Sequence, residues 1–281
     1  GGELSGSRRE GHGSGVERSC SGGQLAGTKL QGPGAGGQFG GSGVELSGPE
    51  SGEWGGQTIS YVSAILGNAK LAPHFSAIDC HSYWSNTQSK ISFKNWMRVQ
   101  HPDVKIRMSE WCEMVNGSDY GMDSALVLAK CVQEDLTVLD VVSWATWVGV
   151  APGGYHDGLI YASQAGDGSI SIVPVKRLWA YGNYTRYIRP GFVRVDVSGS
   201  KELYPVAFKG ENGGQEQLVI VLINDKYTNQ QASLEGDFSA YKTMQIHETS
   251  NYRDLARTYN GAVKTEFSVP MQSVVTIVLT K

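Results

Sequence analysis

From residue 57 onward, apolar and polar positions fall into regular periods. Residues 57–70 place Ile59, Val62, Ile65 and Leu66 on one side of a predicted helix. Residues 75–80 read as a short apolar strand ending in His81-Ser-Tyr-Trp84. Residues 89–100 return to the helical period with Phe93, Trp96, Met97 and Val99, and Pro102 helps to end that helix. Residues 104–108 alternate as a second strand running into Ser109-Glu110-Trp111. Asp123 is the expected N-cap of a helix reaching about Leu136, with Leu126, Leu128, Ala129 and Val132 as its apolar side. Residues 139–142 start a third strand, which ends in Ser143-Trp144-Ala-Thr-Trp147. A loop rich in Gly and Asp follows. A helix is then expected over residues 175–188, closed by Arg189-Pro190-Gly191.

Upstream, residues 43–46 suggest one more short strand, followed by a polar loop that holds Glu50 and Glu53. Strands alternating with helices of this length imply βαβ units around a parallel sheet. In such sheets the carboxyl ends of the strands line the ligand crevice. Each strand end here carries polar or aromatic residues: Glu50, then His81, Tyr83 and Trp84, then Glu110 and Trp111, then Trp144 and Trp147. After Gly191 the helical period gives way to short, β-branched, alternating runs punctuated by Gly, Asn and Asp. That pattern predicts an antiparallel β-sandwich.

Composition divides the chain in two. Of its 37 glycines, 20 lie in residues 1–56. Up to Glu45 the only large apolar residues are Leu4, Val16, Leu25, Leu30, Phe39 and Val44. Such a stretch cannot bury enough apolar area to offset its chain entropy. Residues 1–43 are therefore expected to be either a flexible tail or a segment translated from a wrong frame. The expected division is 1–43, then 44–190 as a half barrel, then 191–281 as a sandwich. No leader-like apolar run follows Gly1, so a leader, if there is one, is expected to lie outside this chain.

Charge narrows the classes. With 24 basic and 27 acidic side chains the formal charge is −3, so no basic stripe for nucleic acid is expected. No apolar run is long enough to predict a membrane span. Cys20, Cys80, Cys112 and Cys131 lack metal-ligand spacing, and Cys80 and Cys112 are expected to be buried thiols. With no ligand cluster and no phosphate loop, neither a metal nor an organic cofactor is expected.

Glu110 is the leading candidate for chemistry. It follows an apolar strand directly, sits beside Trp111, and the neighbouring strand ends supply more aromatic and polar groups. Sugar rings stack their C–H faces on aromatics while their hydroxyls need polar partners, so a carboxylate in this setting suits glycoside cleavage. His81 or Tyr83 is placed to donate to it and hold it ionised. Tyr155, His156 and Asp157 belong to the loop after the third strand, either as a rim or as plain loop. Trp96, Trp179, Tyr184 and Tyr187 read as helix packing.

The segments Ser109-Glu110-Trp111, His81-Ser-Tyr-Trp84 and Ser143-Trp144 together resemble glycoside hydrolase family 30. So do Arg177-Leu-Trp-Ala-Tyr-Gly-Asn-Tyr-Thr-Arg-Tyr-Ile-Arg-Pro-Gly191 and Val269-Pro-Met-Gln-Ser-Val-Val-Thr-Ile-Val-Leu279. The resemblance covers about residues 44–281. It implies an α/β fold: a partial (β/α)8 TIM barrel, about strands five to eight, followed by an antiparallel β-sandwich. It implies a retaining mechanism with Glu110 as nucleophile at the end of strand seven. His81, Tyr83 and Trp84 would end strand six and Trp144 strand eight, with Trp111 and Glu50 as further substrate contacts. An oligo- or polysaccharide substrate and a secreted location are also implied. The variants lean towards an endo-β-1,6-galactanase-like member, with xylanase or glucosidase chemistry also compatible. One departure matters: the family's acid/base Glu sits in an Asn-Glu-Pro motif, and that motif is absent. The chain is thus expected to be the carboxyl half of an enzyme, crippled in catalysis or a non-catalytic carbohydrate-binding remnant.

Overall fold

The computed structural model describes residues 30–31, 55–198 and 202–281. The expected strand at 43–46, with Glu50 and Glu53, lies outside these residues. Helix α1 (Gly55–Leu66) buries Thr58, Val62 and Leu66, one face at a four-residue step. Strand β2 (Ala77–His81) leads to α2 (Thr87–Gln100), whose N-cap Asn86 accepts the amide of Ser89 at 2.9 Å. Lys90, Phe93 and Met97 form the buried side of α2.

Strand β3 (Lys105–Glu110) is followed by α3 (Met122–Glu134) and a short π-helical segment, Asp135–Leu139. The expected cap is corrected here. Asp123 lies inside the helix, and the Asp119 carboxylate instead accepts the amides of Gly121 at 2.5 Å and Ser124 at 3.2 Å. Strand β4 (Ser143–Trp144) completes the parallel set β2-β3-β4. Within the segment expected to lack regular structure, β1 (Leu30–Gln31) pairs antiparallel with β4.

The Gly- and Asp-rich stretch is more than a loop. It forms a three-stranded sheet from β5 (Val150–Ala151), β6 (Ile160–Gln164) and β7 (Ile170–Pro174). Helix α4 (Lys176–Thr185) follows and is shorter than its apolar period suggests. The motif that begins at Arg177 has a structural explanation, because Arg177, Tyr181, Asn183 and Tyr184 are all buried. The Tyr184 hydroxyl donates to Gln133 at 2.5 Å, and the Tyr181 hydroxyl donates to the carbonyl of Trp144 at 3.0 Å. Asn183 donates to Thr276 Oγ1 at 2.9 Å and accepts from Thr249 Oγ1 at 2.6 Å. The two tyrosine bonds hold α4 to α3 and β4, and the two bonds of Asn183 tie it to the following domain, where an unpartnered buried amide would be costly.

That domain is a sandwich. One sheet has the order β13-β12-β15-β10-β9-β8, from β8 (Val193–Val195), β9 (Val206–Asn212), β10 (Gln215–Asn224), β12 (Thr243–Ser250), β13 (Arg253–Gly261) and β15 (Ser273–Thr280). The other pairs β11 (Gln230–Ser233) with β14 (Glu266–Val269). Alternate residues of β10 feed two cores. Val219, Val221 and Ile223 join the barrel core, whereas Ile220 and Leu222 join the sandwich core. In β15, Val274 and Val278 face the barrel and Val275, Ile277 and Leu279 face away. Burial on both faces is why these strands read as near-continuous apolar runs. The junction is tight: a Cβ at Gly210 would come within 2.3 Å of the Phe192 ring.

Candidate active site

Glu110 owes its direction to an irregularity in β3. Ile78 pairs with Ile106 and Cys80 with Met108, so these side chains share one face of the sheet. Asp79 and Arg107 share the other and form a bidentate ion pair at 2.7 Å. Regular alternation would send Glu110 to the face of Ile106 and Met108. The register shifts between Cys80 and His81, so that His81 pairs with Glu110 and Ser109 is the extra residue. Such a bulge re-aims the side chain that follows it. Glu110 thereby joins His81 on the face of Asp79.

Tyr83 completes the arrangement. Its hydroxyl donates to Glu110 Oε1 at 3.2 Å, and Cys112 Sγ lies 3.7 Å from the same oxygen of Tyr83. The ring of Tyr83 meets His81 edge-on, with centroids 5.6 Å apart. Burial, and next the neighbouring Cys112 and Glu110, push the Tyr83 phenol well above the ordinary tyrosine range. Burial likewise raises the Cys112 thiol. A hydroxyl has one proton to give, and an ionised carboxylate only accepts. The phenol proton therefore goes to Glu110, and the thiol proton is free to point back at the phenol oxygen.

The tryptophans divide into two kinds. Trp84 is 68% exposed, and its φ of 51° is a left-handed conformation that a bulky residue rarely adopts. Trp147 is 48% exposed and donates its amide to the carbonyl of Trp111 at 2.8 Å. Trp144 and Trp111, expected at strand ends that line the crevice, are both buried. Trp144 is fully buried, and its indole nitrogen donates to Asp135 Oδ2 at 2.8 Å. It shares the face of Met108, and Trp111 packs against it with centroids 6.2 Å apart. Trp144 thus lies on the sheet face opposite Asp79, with Trp111 packed against it.

Asp135 was not singled out by sequence, yet it anchors this region. It accepts from Ser82 Oγ at 2.8 Å and pairs with Lys90 at 2.9 Å, and both carboxylate and ammonium are buried. Lys90 also meets Glu134 at 2.6 Å. No local pattern joins Lys90 to a residue more than 40 positions away.

The rim is knitted from the segments after β3 and β4. Asn116 and Tyr155 form an isolated bridge, and the amides of Gly117 and His156 donate to the carbonyls of Gly154 and Val115. His156 Nδ1 lies 2.8 Å from Glu113 Oε2. Asp157 Oδ1 is buried without a hydrogen-bond partner. The fully buried Arg177 holds this rim from below, donating to the carbonyl of Gly158 at 2.8 Å and to Ser124 Oγ and the Tyr161 hydroxyl, each at 2.5 Å.

Cys80, Cys112 and Cys131 are free thiols, the first two buried. Among the described residues no group of His, Cys, Asp and Glu gathers to hold a metal ion. No described helix is long and apolar enough to cross a membrane.

Residues 71–161 match the family model described as O-Glycosyl hydrolase family 30. The fold is similar to that of a family 30 endoxylanase from Clostridium papyrosolvens C71, with a TM-score of 0.65 at 20% identity over 85% of this chain and 56% of that one. A conserved exported protein from Bacteroides fragilis gives a TM-score of 0.65 at 21% identity over 84% of this chain and 55% of that one. A family 30 subfamily 8 xylanase from Clostridium acetobutylicum gives 0.63 at 20% identity over 85% and 56%. The chain thus spans a little over half the length of each of these structures. The resemblance carried by the motifs is therefore shown: this chain is similar to glycoside hydrolase family 30 in sequence over residues 71–161, and its fold is a partial (β/α)8 barrel followed by a β-sandwich.

Proposed function

We propose that the described region carries the nucleophile half of a retaining β-glycosidase site, with Glu110 as nucleophile. The observation that supports this best is the Tyr83 hydroxyl donating to Glu110 Oε1 at 3.2 Å, on the sheet face that the bulge gives to Glu110. A carboxylate that attacks carbon must be ionised, oriented and only partly hydrated. One phenol donor and half-burial supply those conditions. In the first step a bond forms between Glu110 and the anomeric carbon as the bond to the leaving oxygen breaks. Water then cleaves the glycosyl ester. His81 and Trp84 contact the sugar, Trp84 by stacking. Glu50 remains a candidate contact from its sequence position.

The substrate is a β-linked polysaccharide, with β-1,6-galactan, xylan and gluco-configured chains as the classes to test. Secretion fits such a substrate and the exported Bacteroides relative. Departure of a sugar alcohol requires a proton, and the Asn-Glu-Pro motif that would carry its donor is absent from this sequence. The chain alone is therefore expected to turn over natural polysaccharide poorly. That same absence favours the second reading, a carbohydrate-binding remnant without catalysis.

Dinitrophenyl fluoro-glycosides separate the two, because their leaving group needs no proton. Incubation with the galacto, xylo and gluco forms, followed by peptide mass mapping, should yield one glycosyl adduct on Glu110 and none in Glu110→Gln. An adduct elsewhere, or one undiminished in Glu110→Gln, overturns the assignment. Glycan binding without any adduct supports the remnant.

A further inference from the structure

We infer that Ser82 is a positioning residue for this site, holding the turn that presents the Tyr83 hydroxyl to Glu110. The inference rests on Glu110 as nucleophile and adds a residue that acts on it through Tyr83. Side chains continue to alternate past the end of β2. His81 lies on the face of Asp79, and the Tyr83 hydroxyl reaches Glu110 Oε1 at 3.2 Å. Ser82, between them, is buried and donates its hydroxyl to Asp135 Oδ1 at 2.8 Å. Asp135 also takes the indole N–H of Trp144, which lies on the face opposite Asp79.

Asp135 is a fixed point. It is fully buried, and besides Ser82 it meets Lys90 at 2.9 Å, Trp144 Nε1 at 2.8 Å and Cys131 Sγ at 3.6 Å. These groups come from α2, β4 and α3, so the carboxylate is held from three directions and cannot turn. A charge-assisted bond to such an anchor fixes the backbone of Ser82 as well.

The turn needs that hold. The amide of Ser85 donates to the carbonyl of Ser82 at 3.4 Å, which makes Tyr83 and Trp84 the central residues of a four-residue turn. Trp84 is third in that turn with a φ of 51°, at a position where glycine or asparagine is usual. A bulky residue keeps such a conformation only where its surroundings enforce it. Ser85 Oγ donates to the carbonyl of Tyr83 at 3.3 Å, a longer bond than that of Ser82. Ser82 is therefore the firmer side-chain hold. Released from Asp135, the turn relaxes about Trp84, and Tyr83 carries its hydroxyl away from Glu110.

The test uses the full chain. Ser82→Ala removes one hydroxyl and leaves Asp135 with Lys90, Trp144 and Cys131, so circular dichroism should match the parent. Labelling of Glu110 by a saturating concentration of the fluoro-glycoside that reacts best should slow at least about fivefold, because a small misplacement around a reacting group is costly. In a Tyr83→Phe background the same substitution should change the rate by less than about twofold, since the hydroxyl through which Ser82 acts is gone. A general loosening of the site would slow both backgrounds alike. Ser85→Ala, which releases the Tyr83 carbonyl instead, should show the same dependence on the Tyr83 hydroxyl with a smaller slowing. Unchanged labelling in Ser82→Ala, or slowing by either variant that persists in Tyr83→Phe, overturns the inference and leaves the nucleophile in place. If Glu110 is never labelled in the parent, the catalytic reading fails and the positioning role falls with it.

Discussion

His81 and Glu110 are register partners, although one is the fifth residue of its strand and the other the sixth. The odd residue is Ser109, which the bulge absorbs so that Glu110 can stand opposite His81. Deleting Ser109 should remove the bulge and leave the glutamate directly after Met108, where regular alternation keeps it opposite His81 on the face of Asp79. The expected result is that this glutamate is still labelled. Circular dichroism should stay close to that of the parent, because the bulge is at the strand end and Ile106 and Met108 keep their places. Loss of labelling with an unchanged spectrum would show that pairing with His81 is not what aims the side chain.

Tyr83→Phe removes one hydroxyl and little volume. A hydrogen bond to a charged group is worth about 1.5–3 kcal/mol, so labelling should slow by roughly tenfold to a hundredfold. Because the phenol is held protonated far above neutrality, the parent should show no loss of labelling between pH 8 and about pH 10, where an ordinary tyrosine would begin to ionise. A labelling rate that falls across that interval would contradict the arrangement.

Lys90 and Asp135 are both buried and depend on each other. Asp135→Ala leaves the buried Lys90 ammonium with Glu134 alone and frees Trp144 and Ser82, and should cost about 3 kcal/mol in urea unfolding. The double variant Lys90→Met, Asp135→Leu should recover part of that loss. Burial works against the Lys90 charge, yet Asp135, Cys131 and Glu134 outweigh it and raise its pKa. Its contribution is therefore complete below the unfolded lysine value of about 10.4 and fades as pH climbs past it. Melting temperatures measured from pH 8 to pH 11 should fall more steeply for the parent than for the double variant.

His247 works with the opposite sign. Burial, then Arg186 and Arg257, depress its pKa from 6.5 to about 4. The unfolded chain takes up this proton first as pH falls, so stability is complete above pH 6.5 and declines towards pH 4. The decline attributable to this ring is up to about 3 kcal/mol. His247→Gln should flatten the stability curve in that window, as read from chemical denaturation at successive pH values.

Much of the architecture could be read from periodicity. The helices around Phe93, Leu128 and Tyr184 and the two-faced strands around Val221 and Ile277 announce themselves, because burial dictates their apolar spacing. Glu110 and Tyr83 were legible for the same reason, as polar groups ending apolar strands. Ser109 gave no sign of its bulge, since a single extra residue leaves the composition of a strand unchanged. Trp111 and Trp144 misled because an aromatic at a strand end suits a cleft and a core equally, and a two-residue strand such as Ser143–Trp144 is too short to show which face is which. The sheet holding Ile160 and Ile172 was hidden by the turn residues around Asp167 and Gly168, and much of it is exposed. The link between Lys90 and Asp135 is set only by tertiary packing.

The order of strands in the sandwich has a consequence for synthesis on the ribosome. Strand β15 comes last in sequence among the described strands, yet it lies between β10 and β12 in the middle of the sheet. Its neighbours β10 and β12 emerge from the exit tunnel with an empty slot between them, and their bare backbone edges must wait for that strand. A polypeptide stalled or released before β15 would thus be a sticky, half-zipped species.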